Sequence, residues 1–112
     1  MDVTITEIGS VTKAALAGRL DSAQVGVVES QFTSGIIPKE QDTLVDLSSV
    51  TFIASLGIRM LLTVARGLSR HGARMILFGA TPEVMEILET TALSDIIPVF
   101  DSEGDALAEV SA

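Results

Sequence analysis

The chain predicts a single α/β domain with a mostly parallel sheet and an antiparallel first strand, and three observations predict it. Short apolar runs rich in β-formers alternate with segments of helical period along the whole sequence. A turn at Gly9-Ser10 joins the first two strands directly, which makes that pair a hairpin. Each later strand is separated from the next by a helix, and such units form parallel pairs with right-handed crossovers. The expected order is β-β-α-β-α-β-α-β-α, one domain over residues 1–112.

Taken in order, Val3 and Ile5 alternate with Asp2, Thr4 and Thr6, the pattern of a half-exposed strand. Val11 to Ala17 reads as the second strand. Asp21 or Ser22 then caps a helix over about Ala23 to Ser34, buried through Val25, Val28 and Phe32 and ended by Gly35 and Pro38. Thr43 to Leu47 is a short buried strand. From Ser55 a second helix follows, with Ile58, Leu61, Leu62, Ala65 and Leu68 at helical spacing and His71-Gly72 as its stop. Arg74 to Phe78 is the next strand. Thr81-Pro82-Glu83 is a helix start with a capping hydroxyl, proline at the first position and an acid behind it. Val84, Ile87 and Leu88 face inward, and Leu93 closes the unit. Ile96 to Phe100 forms a last strand, placed at an edge by Pro98. Asp101, or Ser102 with Asp105, caps a final helix carrying Leu107 and Val110.

Composition narrows the function. The net charge of −8 argues against nucleic acid as a partner, because a phosphate backbone rewards basic surfaces. No apolar run approaches the roughly 20 residues of a membrane span. The absence of cysteine removes disulfides and thiolate sites, and with no leader-like start this points to the cytoplasm. Charge is uneven: Leu47 to Pro82 contains no acid but holds Arg59, Arg66, Arg70 and Arg74. Near the end of the central helix such cations complement its dipole, although Arg59, close to Ser55, stands outside that explanation.

Ser55 is the residue of greatest interest. It stands where an N-cap belongs, and capping is the plainest reading. A hydroxyl there also lies among unpaired backbone N–H groups at the positive end of the dipole, an environment that accepts a phosphate. Leu56 beside it is either folded into the core or displayed. Asp21 and Ser55 both follow strand ends in successive βα connections, where ligands of such sheets gather. Enzymatic chemistry finds little support. The strand-Ser55-helix arrangement resembles a nucleophile elbow but lacks its first glycine. The one histidine, His71, lies sixteen residues along the same helix, about 24 Å away. Glycine-rich phosphate loops are missing, and no cofactor or metal site is expected.

Five runs together resemble a known family. They are Leu16-Ala17-Gly18-Arg19-Leu20-Asp21, Val45-Asp46-Leu47-Ser48, Phe52-Ile53-Ala54-Ser55-Leu56-Gly57-Ile58-Arg59, Phe78-Gly79-Ala80-Thr81-Pro82-Glu83-Val84 and Leu88-Glu89-Thr90-Thr91-Ala92-Leu93. In this order they resemble the STAS domain, and within it the bacterial anti-sigma factor antagonists, over nearly the whole chain. The resemblance implies a partner-switching regulator of transcription that is not itself an enzyme. Its partner would be an anti-sigma factor that is also an ATP-binding serine kinase. That kinase would phosphorylate Ser55 and so release the complex, and a serine phosphatase would reset the cycle. The resemblance implies a binding surface of Asp21, Ser22, Ala54, Ser55, Leu56, Gly57 and Arg59, with Asp46 and Ser48 lining the serine's neighbourhood. Ala54 stands where the family often has an acid, and Leu56 where it often has serine or alanine. The alternative is an accessory STAS subunit of a signalling or transport assembly in which Ser55 is never modified.

Overall fold

The computed structural model describes residues 2–111, so Met1 and Ala112 of the expected domain lie outside the described residues. Five strands form one sheet in sequence order: β1 (Asp2–Ile8), β2 (Val11–Leu20), β3 (Thr43–Ile53), β4 (Met75–Phe78) and β5 (Val99–Phe100). β1 is antiparallel to β2, and the remaining pairs are parallel. The α-helices are α1 (Ser22–Ile36), α2 (Ser55–Ser69), α3 (Pro82–Thr90) and α4 (Glu103–Ser111). This is the predicted architecture, and its alternating strand residues divide the core in two. Ala14, Val45 and Leu77 pack with α1, α2 and α3 on one face, while Leu44, Ile76 and Phe78 pack under α4 through Ala106 on the other. Among the described residues no helix is long and apolar enough to cross a membrane.

Several elements differ from expectation. β2 and β3 run much further than their apolar segments, to Leu20 and Ile53, paired through two register shifts. Gly18, with φ of 107°, makes the second shift possible, since that backbone conformation strains any side chain. α1 continues through Gly35, because the missing side chain there lets the helix lie against Ile5. Pro38 therefore sits in a following short 3-10 turn rather than ending α1. β5 shrinks from the expected Ile96–Phe100 to two residues. Pro98 has no N–H to donate, and only its carbonyl joins the sheet, accepting from Leu77 N at 2.9 Å.

α4 is tethered by charge as well as by its apolar side. Lys13 on β2 pairs with Glu103 Oε1, an oxygen otherwise shut off from solvent, and Arg74 pairs with Glu109 at 3.2 Å. The Glu103 hydrogen bond holds the Lys13 ammonium above the ordinary lysine range, aided by the charges of Glu103 and Asp46 and opposed by burial. Because the folded pKa is raised, this stabilisation is complete below the unfolded value of about 10.4 and fades as pH climbs through the folded one. Thermal melts should show Glu103→Gln less stable than wild type at neutral pH, with the gap narrowing in strong alkali. A gap independent of pH would contradict that origin.

Candidate functional site

The site is assembled where β2 and β3 end together. Leu20 pairs with Ile53, and the next residue, Ala54, donates its N–H to Leu20 O at 2.9 Å. That bond consumes the Ala54 N–H in the sheet and frees its carbonyl as the first acceptor of α2, from Ile58 N at 3.1 Å. Ala54 is therefore the N-cap, with extended backbone and no capping side chain. This corrects the expectation that Ser55 caps α2. Ser55 is the first helical residue, exposed, and its hydroxyl makes no hydrogen bond among the described residues. Leu56 is displayed rather than folded under, at 43% exposure. Gly57 is buried against the sheet: a Cβ there would stand 2.9 Å from Ile53 Cγ2 and from Leu20 Cγ and Cδ2.

Asp21, immediately after Leu20, reaches the same corner. It is the cap of α1, its Oδ1 accepting from Gln24 N at 3.0 Å, while Ser22 is an exposed first-turn residue. Arg59 lies one turn beyond Ser55 and lines a groove of about 350 Å³ between α1 and α2 with Leu56, Met60 and Glu29. The structure thus gathers Asp21, Ser22, Ala54, Ser55, Leu56, Gly57 and Arg59 around one corner. Asp46 and Ser48 stand apart. Asp46 pairs with Ala15 and Ile53 with Leu20, so about 16 Å of sheet separates them at about 3.3 Å per residue. There, inside β3, Asp46 Oδ1 accepts from Ser48 N at 2.9 Å and from its hydroxyl at 2.7 Å, a local contact that lies against Gly79.

Arg19 and Phe52 belong to this corner and were not expected there. The Arg19 guanidinium lies 4.5 Å from the Phe52 ring centroid, and its Nε is 3.8 Å from Asp21 Oδ2. The signal lay in the alternation at the end of β2. With Leu20 buried, Arg19 faces outward, across from Phe52. Since Ser55 is not a cap, Ser55→Ala should change folding stability by less than about 0.5 kcal/mol. Asp21→Ala should cost about 1 kcal/mol through the lost cap. Urea unfolding of the two variants checks this; a larger loss for Ser55→Ala would return Ser55 to a capping role.

His71, the remaining hydrolytic candidate, stands beyond the far end of α2, 3.2 Å from Glu40. Fold and corner together define a small α/β module that displays a hydroxyl and a leucine at a helix start. The sequence profile of the STAS domain matches residues 2–106, and the chain belongs to that family. BtrV of Bordetella bronchiseptica, named as a candidate anti-sigma factor antagonist, is 29% identical over 108 residues, covering 96% of this chain and 93% of that protein. The STAS domain protein of Planctomyces limnophilus superposes with a TM-score of 0.89 at 20% identity, each chain fully covered. The anti-sigma factor antagonist SpoIIAA of Bacillus, unphosphorylated, gives 0.80 at 18% identity, over 98% of this chain and 96% of its own. SpoIIAA also has a solved phosphorylated form, with a TM-score of 0.70 at 18% identity over 97% of this chain and 99% of its own.

Proposed function

We propose that this chain is an anti-sigma factor antagonist that works by partner switching. Unphosphorylated, it binds an anti-sigma factor that is also an ATP-binding serine kinase. Phosphorylation at Ser55 releases it, and a serine phosphatase restores the binding form. The observation that carries this reading is the free Ser55 hydroxyl, exposed at the first residue of α2 beside an exposed Leu56. Among the described residues that hydroxyl has no hydrogen-bond partner to give up, and it lies at the positive end of the helix dipole, which accepts a phosphate. The names of the relatives and the existence of a phosphorylated SpoIIAA support the same direction.

Asp21, Ser22, Leu56 and Arg59 supply the surrounding contact surface in this account, with Arg19 beside them. Asp46 and Ser48 sit within β3 where its pairing with β4 ends, away from this surface. The γ-phosphoryl group passes from ATP to the Ser55 oxygen, the hydroxyl proton goes to the kinase, and ADP leaves. The test mixes the chain with the anti-sigma kinase of its own organism and Mg-ATP, followed by intact mass and peptide mapping. One phosphoryl group on wild type and none on Ser55→Ala, which still binds the kinase, is the expected result. Phosphate at another residue, or a folded Ser55→Ala that no longer binds, would overturn the proposal.

A further inference from the structure

Four of the chain's seven lysines and arginines have an acid within ion-pair distance: Lys13, Arg19, Lys39 and Arg74. Arg59, Arg66 and Arg70 have none among the described residues, and all three stand exposed on α2 or at its C-cap. α3 is the reverse, with Glu83, Glu86 and Glu89 exposed and unpaired with any cation among the described residues. The molecule therefore carries a basic helix face and an acidic helix face, each lacking internal compensation.

Apolar shape follows the same division. Ile96, between α3 and β5, is 63% exposed, and it borders a groove beside α2 that Arg66 also lines. Next to α3 lies a recess of about 250 Å³ formed by Glu83, Glu86, Ile87, Thr90 and Thr91. An exposed branched side chain that shares its groove with Arg66 and an open recess rimmed by acids are complementary in shape and charge. Arg66 and Arg70 are about 6 Å apart along their helix and Glu83 and Glu86 about 4.5 Å, close enough to pair two by two.

We propose that these two faces form an interface between copies of this chain, in which Ile96 of one molecule seats in the α3 recess of another while Arg66 and Arg70 meet Glu83 and Glu86. A second copy is the occupant because both halves of the contact are present on the one sequence. A molecule of net charge −8 repels its copies at long range, so association depends on this local match. A contact built on one apolar anchor and rim charges is weak, and it dissociates in high salt as the ion pairs are screened. Arg66 lies about 16 Å along α2 from Ser55, so the interface does not require the switching function.

Sedimentation equilibrium of the full chain, from about 10 μM to about 1 mM in physiological salt, tests it across the range expected of a weak contact. Wild type should rise above the monomer mass of 11.7 kDa. Ile96→Ser, the double change R66E/R70E and the double change E83K/E86K should each weaken association at least tenfold, with unchanged circular dichroism. Mixing the two charge-reversed proteins should restore it, since each then offers the face the other needs. A wild type that stays monomeric, variants that associate as wild type does, or a mixture that fails to recover would each overturn the interface.

Discussion

Phosphate on Ser55 is expected to weaken binding to the anti-sigma partner by two to three decades while leaving the fold intact. The modification adds about −1.5 to −2 charges to a hydroxyl that begins α2. The helix N-terminus absorbs part of that charge, and the exposed position imposes no steric cost on the folded chain. The partner meets a different problem. A surface fitted to a neutral hydroxyl and the adjoining Leu56 must desolvate a dianion for which it holds no donors. A penalty of about 3–4 kcal/mol is reasonable for an ill-matched buried charge, which corresponds to the two to three decades stated. Asp21 at the same corner adds repulsion, tempered by Arg19 at 3.8 Å. Ser55→Glu, with one charge and another shape, should reproduce only part of the loss. Titration calorimetry of the three forms, each checked by circular dichroism, measures the effect; equal affinities would leave Ser55 without a switching role.

The second large effect is on stability. Gly57→Val should destabilise the domain by about 3 kcal/mol, the upper end for overpacking. Its Cβ would lie 2.9 Å from Ile53 and Leu20, the two residues whose pairing anchors the start of α2. Ile53 is β-branched and stiff, and Leu20 is contacted at Cγ rather than only at its flexible end, so neither yields cheaply. Relief comes by shifting α2 away from the sheet, which moves Ser55 and Leu56 and lowers partner affinity as well. Gly26 is the control: nothing stands within 4 Å of a Cβ there, and Gly26→Ala in α1 should stabilise by about 0.5–1 kcal/mol. Urea denaturation decides the matter. A Gly57→Val protein as stable as wild type would mean that α2 does not depend on this close approach.

The architecture was legible because hydrophobic period marks it directly: the Val3/Ile5 alternation, the Thr81-Pro82-Glu83 start, the Ile58–Leu68 stripe. What escaped depends on register between distant segments. Ser48, Ser49 and Thr51 look like a loop, yet they extend β3 because β2 runs alongside as far as Leu20. That extension carries Asp46 away from Ser55 even though the two are only nine residues apart in sequence. Serine before an apolar helical stripe favours a cap on local grounds. The sheet overrode that preference by tying the Ala54 N–H to Leu20 and handing the first helical carbonyl to Ala54. Asp21 is legible as a cap of α1, one of two candidates with Ser22, because a short acceptor following a strand end is a local feature. Arg19 and Phe52 needed the pairing of β2 with β3 to be seen together.

The central claim is that Ser55 is the residue through which the cell switches this protein, and mass spectrometry of the chain from its native cell tests it most directly. Intact mass measured with and without phosphatase treatment should show a fraction heavier by about 80 Da, one phosphoryl group, that collapses to the unmodified mass. Fragmentation should place the group on Ser55. An unmodified Ser55 under every growth condition, or a phosphate that maps elsewhere, would contradict the account.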